Sequence, residues 1–114
     1  MIAQKNVNFF EGSLVNPEDK IEYYGNSKAE IISVEISGNF TSGSFHFEGI
    51  VDLDTTEWTP IAGVNLSDYT ITADPTGKGI WEVPIEGLQK FRVRTEAVAG
   101  GKAKVFGRAI VTGV

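Results

Sequence analysis

The chain has 114 residues, 41% of them hydrophobic, a formal net charge of −5 and no cysteine. That length suits one domain with a core that needs no covalent staple, and seven Phe, three Tyr and two Trp exclude a disordered chain. The missing thiols exclude disulfides and thiolate chemistry, while the acidic balance argues against general nucleic-acid binding, which needs cations to replace phosphate counterions.

The charge is unevenly spread. Residues 1–87 hold 4 basic and 14 acidic side chains, whereas residues 88–114 hold 6 basic and 1 acidic. The start, MIAQKNVNFFEG, has no continuous apolar stretch of the secretory type, and no apolar run is long enough for a membrane helix.

Residues 1–25 are irregular and read as an extra strand or two, or as an arm that pairs with a neighbouring subunit. From residue 26 to 114 the pattern has period two. In AEIISVEIS, Ile32, Val34 and Ile36 share a face; in GSFHFEGIV, Phe45, Phe47 and Val51 alternate with His46, Glu48 and Ile50. In GIWEVPIEG, Trp81, Val83 and Ile85 alternate with Glu82 and Glu86; in FRVRTEAVA, Phe91, Val93 and Ala97 alternate with Arg92, Arg94 and Glu96. The last run, AKVFGRAIV, sets Val105, Ala109 and Val111 against Lys104, Phe106, Arg108 and Ile110. No window keeps the helical spacing i, i+3, i+4, i+7 for more than about one turn.

Turn-forming clusters punctuate these runs, among them Asn16-Pro17-Glu18-Asp19, Ser42-Gly43-Ser44 and Asp74-Pro75-Thr76-Gly77. Gly100-Gly101 joins two alternating runs and predicts a tight hairpin. Pro84 cannot donate to a ladder, so its strand is an edge strand or is interrupted there. Together these features predict an all-β domain, an antiparallel two-sheet β-sandwich of jelly-roll-like or Ig-like type.

Several residues are candidates for function. His46, the lone histidine, lies on the outward phase of its strand, and no triad can be assembled around it from the sequence. Asp52, Asp54 and Glu57 are a weak calcium-ligand candidate, because their loop lacks the glycine and spacing of an EF-hand. A turn rich in Asp and Thr explains the same residues. Trp58 and Tyr69 lie near predicted loops and are candidate stacking residues for a glycan ring, whereas Trp81 is in phase with the core.

Arg92, Arg94 and Arg108 fall on the outward phase of the two runs flanking Gly100-Gly101. They are expected to form one basic face that docks on an acidic partner surface, beside carboxylates such as Glu82, Glu86 or Glu96. A solvated, ion-paired sheet face is the plainer alternative. No set of acid, base and nucleophile is evident, so an enzyme is not expected, nor is a cofactor.

The stretches SGNFTSGSFHFEG, Trp58-Thr59-Pro60-Ile61, Gly79-Ile80-Trp81-Glu82-Val83 and Gly87-Leu88 leading into Phe91-Arg92-Val93-Arg94 occur in this order. Over residues 25–112 the sequence resembles a small β-sandwich module of tailed-phage and prophage minor structural, tail-associated virion proteins. It departs from that pattern at DLDTTEW, where an Asp-Gly turn is usual. The resemblance implies a virion protein made in the bacterial host cytoplasm. It further implies contacts with other virion proteins or with copies of itself, as a homo-oligomer, and brings no catalytic residues. The alternative is a carbohydrate-binding module or host-surface adhesin that uses Trp58 and Tyr69.

Overall fold

The computed structural model describes residues 5–24 and 31–112. Ten strands follow one another: β1 (Lys5–Leu14), β2 (Lys20–Tyr24), β3 (Ile31–Asn39), β4 (Ser42–Ile50), β5 (Thr59–Pro60), β6 (Gly63–Asn65), β7 (Ile71–Thr72), β8 (Gly79–Pro84), β9 (Lys90–Ala99) and β10 (Lys102–Thr112). They form a six-stranded sheet in the order β1-β10-β3-β8-β6-β7 and a four-stranded sheet in the order β2-β9-β4-β5. Every neighbouring pair is antiparallel, and the two sheets pack into a β-sandwich.

The alternation explains the layers. Ile32, Val34 and Ile36 of β3, Trp81 and Val83 of β8, and Val105 and Ala109 of β10 are buried from one sheet; Phe45, Phe47, Phe91 and Val93 are buried from the other. Phe47 sits at the middle of the core, its ring centroid 6.0 Å from Trp81 edge-on and 5.8 Å from Phe91. Edge and tilted contacts of this kind suit the ring quadrupole. Burial of this aromatic and aliphatic surface is the main force holding the sheets together.

The N-terminal stretch contributes one strand to each sheet. β1 pairs with β10 from Lys5↔Thr112 to Leu14↔Ala103, and β2 pairs with β9. The connection between them is pinned where the Asp19 carboxylate accepts the N–H groups of Val15 and Asn16, at 3.1 and 2.8 Å. These bonds hold the Asp19 carboxyl below its ordinary range, since they favour its charged form.

Three local expectations fail. Gly100-Gly101 does not close a hairpin: β9 pairs with β2 and β4, β10 with β1 and β3, so the turn carries the chain from one sheet to the other. Both glycines have positive φ, +80° and +147°, and a Cβ on Gly101 would run into the Asn39 carbonyl oxygen. The phase of β9 changes at a bulge, where Phe45 pairs with Thr95 and Ser44 with Ala97, leaving Glu96 as the extra residue. Thr95 continues the inward phase of Phe91 and Val93 into the core, and beyond the bulge Val98 rather than Ala97 packs on it. Val51 lies past the end of β4 and is exposed, not part of the core face. Pro84, by contrast, ends β8, a strand paired on both sides further back.

Candidate functional site

The outer face of the four-stranded sheet carries a charge cluster built by register. Glu48 on β4 lies opposite Arg92 on β9, and His46 opposite Arg94. The Arg92 Nε donates to Glu48 Oε1 at 2.8 Å; Arg94 donates Nε to Oε1 and Nη2 to Oε2, both at 3.0 Å. A third N–H of Arg94 reaches Glu18 at 3.0 Å. The guanidinium of Arg92 lies 4.0 Å from the ring centroid of Trp58, a cation–π contact.

These side chains are well covered, Arg92 13%, Arg94 19% and Glu48 10% exposed. Burial pushes the Glu48 carboxyl up, but hydrogen bonds and charge from Arg94 and Arg92 outweigh it and hold the group below the ordinary carboxylate range. The same bonds raise Arg94. Beside this cluster His46 Nδ1 lies 2.8 Å from Asp74 Oδ1 and Nε2 3.4 Å from Glu96 Oε1. Lys90 pairs with Glu22 at 3.7 Å and covers the Tyr24 ring.

The expected three-arginine face is not formed. Arg92 and Arg94 share the outer face of the four-stranded sheet, but Arg108 is on β10, exposed on the outer face of the six-stranded one. The reason is the sheet-crossing turn at Gly100-Gly101. The carboxylate between Arg92 and Arg94 is Glu48, which the alternation had placed outward without pairing it. Of the expected partners, Glu82 lies on the other sheet, Glu96 faces His46, and Glu86 is exposed in the β8–β9 turn.

Trp58 and Tyr69 likewise lie on opposite outer faces and form no common platform. Asp52, Asp54 and Glu57 are exposed; the Asp52 side chain accepts the Asp54 N–H at 2.9 Å in a turn. Among the described residues no three His, Asp or Glu side chains converge on a metal position.

The outer face of the six-stranded sheet has a different character. Ile31, Leu66, Tyr69, Ile71 and Ile80 are exposed there, around a shallow cavity of about 360 Å³ lined by Ile31, Val64, Leu66, Tyr69, Glu82 and Pro84. Tyr69 stands in the β6–β7 loop, 75% exposed, with a positive φ of 62°. The loop is tied by Asn65 N–H to the Thr70 carbonyl at 2.8 Å, Tyr69 N–H to the Asn65 carbonyl at 2.7 Å, and Thr70 N–H and Oγ1–H to Asp68 Oδ1. The Thr70 bonds hold the Asp68 carboxyl below its ordinary range.

The sandwich fold has counterparts among known proteins. The family model for XepA matches residues 4–109. The chain belongs to the XepA family. Two solved structures share its fold. The SPBc2 prophage-derived protein YomS has a TM-score of 0.81 at 24% identity, covering 96% of both chains. The PBSX exported protein XepA has a TM-score of 0.75 at 21% identity, covering 91% of this chain but 38% of that one. No curated protein matches the chain. The phage association expected from the sequence is supported by the XepA family match and by a shared fold with a prophage-derived protein and a PBSX exported protein. XepA itself is the longer protein, and this chain spans well under half of it.

Proposed function

We propose that this XepA-family chain is a non-enzymatic structural component of a phage particle, in the tail, the baseplate or a capsid-decorating position. It acts by packing against other particle proteins or copies of itself. The observation that carries this reading is the apolar outer face of the six-stranded sheet, where Ile31, Leu66, Tyr69, Ile71 and Ile80 gather. A soluble domain that exposes such a group on one side favours its burial against a partner. Arg108, exposed on β10 of the same face and in no ion pair among the described residues, is the arginine left for an acidic partner.

Mass spectrometry of purified particles tests the placement. The chain is expected there in constant proportion to the major structural proteins. Its absence from particles, with accumulation in the medium, would overturn a virion role and favour secretion of the kind the name of the PBSX protein describes. Light scattering tests assembly. Ile80→Glu is expected to abolish any self-association that the parent shows, and association indifferent to it would move the contact elsewhere.

Binding of a host-surface glycan is a second reading, favoured by the exposed Tyr69 ring at a cavity mouth. Trp58 has one face taken by Arg92, so Tyr69 would carry the stacking alone. A glycan array comparing the parent with Tyr69→Ala decides it, and binding unchanged by the substitution would remove Tyr69 from the reading.

A further inference from the structure

We infer that the cavity on the outer face of the six-stranded sheet receives the basic side chain, lysine or arginine, of a partner protein. This rests on the protein acting by protein–protein contact and adds the chemistry of the contact. Five of the six lining residues are apolar or aromatic: Ile31, Val64, Leu66, Tyr69 and Pro84. The sixth is Glu82, placed among them by register, opposite Val64 on one side, with Pro84 two residues on facing Ile31. Glu82 is the one carboxylate in the lining and, like Glu35 on the same face, has no ion pair among the described residues. An aliphatic stem that ends in a cation complements both features at once, apolar walls for the methylenes and a carboxylate for the charge.

Tyr69 provides an exposed aromatic wall to the same cavity. Its φ of 62° lies in a region that side chains with a Cβ rarely adopt. The hydrogen bonds of the β6–β7 loop impose that conformation and hold the ring out at the cavity wall. An aromatic wall beside a lone carboxylate suits an ammonium or guanidinium group. The flat guanidinium already lying on Trp58 across the molecule shows the same pairing of ring and cation, there satisfied within the chain.

Heteronuclear NMR of the whole chain tests this with three probes: Nα-acetyl-lysine methylamide, Nα-acetyl-arginine methylamide and the uncharged Nα-acetyl-norleucine methylamide. The two cationic probes are expected to shift amides around Ile31, Val64, Tyr69 and Glu82. In Glu82→Gln their affinity is expected to fall about tenfold, as is that of norleucine for the parent, because a charge-assisted contact is lost. Glu82 is exposed, so this isosteric change leaves the fold intact. Equal shifts from norleucine, binding unaltered in Glu82→Gln, or no shift at the cavity from any probe would overturn the inference. So would preferential shifts of these amides by a neutral sugar, which would make the cavity a glycan site. A chain found in particles that ignores the probes keeps its structural role and loses the cavity assignment. A chain that binds them but is absent from particles loses the role and keeps the assignment.

Discussion

Glu48 is the residue on which the outer face of the four-stranded sheet depends, and its removal has a calculable cost. Glu48→Ala leaves two largely covered guanidinium groups without their shared counterion. Removing one partner of a fully buried ion pair costs about 3–5 kcal/mol. Arg92 and Arg94 retain 13% and 19% exposure, and Arg94 keeps Glu18, so the expected loss is smaller, about 2–4 kcal/mol. For a domain of this size that lowers Tm by on the order of 10 °C. Glu48→Gln, which keeps an acceptor but not the charge, should lose about 1–3 kcal/mol. The pH dependence gives the sharper check. Arg94 and Arg92 hold the folded Glu48 carboxyl below its ordinary range, so the unfolded chain binds this proton more readily. The contribution of Glu48 is therefore complete above the unfolded value, about 4.3, and is lost as pH falls through the lower folded one. In urea unfolding, the gap between parent and Glu48→Gln should be constant near neutrality and shrink in acid. A gap below about 0.5 kcal/mol at pH 7, the size of an ordinary surface change, or one that does not shrink in acid, would refute the role given to this carboxylate.

Three further outcomes follow from the packing. Gly101→Ala should destabilise by about 2–4 kcal/mol in urea unfolding, because the position combines a φ of +147° with the Asn39 carbonyl where a Cβ would sit. Thr95→Val should be neutral or stabilise by about 1 kcal/mol, because the buried Thr95 hydroxyl has no hydrogen-bond partner among the described residues and its isostere removes it; a clear loss of stability would show that the hydroxyl is satisfied. Arg92→Met should remove the cation from the Trp58 ring, change tryptophan emission relative to the parent, and lower stability by about 1–2 kcal/mol. An unchanged spectrum would mean that the stacked geometry does not persist in solution.

The fold class was legible because the long strands from β3 onward alternate apolar and polar positions, and a period of two does not fit a helix. The inward sets of β3, β8 and the first half of β9 could be named residue by residue, from Ile32 to Val93. What alternation cannot express is a change of phase or of sheet. The bulge at Glu96 inserts one residue, which turns Ala97 outward and Val98 inward, and no residue type at that point announces it. Gly100-Gly101 has the composition of a hairpin turn, and only the pairing of β9 with β4 and of β10 with β3 shows that the chain changes sheet there. The two N-terminal strands were obscured because neither has the regular alternation of the later ones, and β2 is five residues long.

The site follows from the same limit. Its residue types were visible: arginines on an outward phase, aromatics near loops, a carboxylate two places from the only histidine. Their partners were not, because pairing depends on register between strands 44 or 46 residues apart. Once β9 and β10 are assigned to different sheets, the basic C-terminal block divides in two. Arg92 and Arg94 are absorbed by Glu48, Glu18 and Trp58, which makes them part of what holds that face together. Arg108 remains outward on the other sheet, beside an apolar surface that carries Glu82, which has no ion pair among the described residues. The charge asymmetry of the sequence therefore marks two different things. It marks an internal lattice on one face, and on the other a cation and an anion in no ion pair among the described residues, in one cross-strand row on either side of Ser33, on a surface with apolar area to bury. A partner that met both charges would need an acidic group near β10 and a basic one near β8, and that spacing is a stronger constraint on its identity than net charge alone.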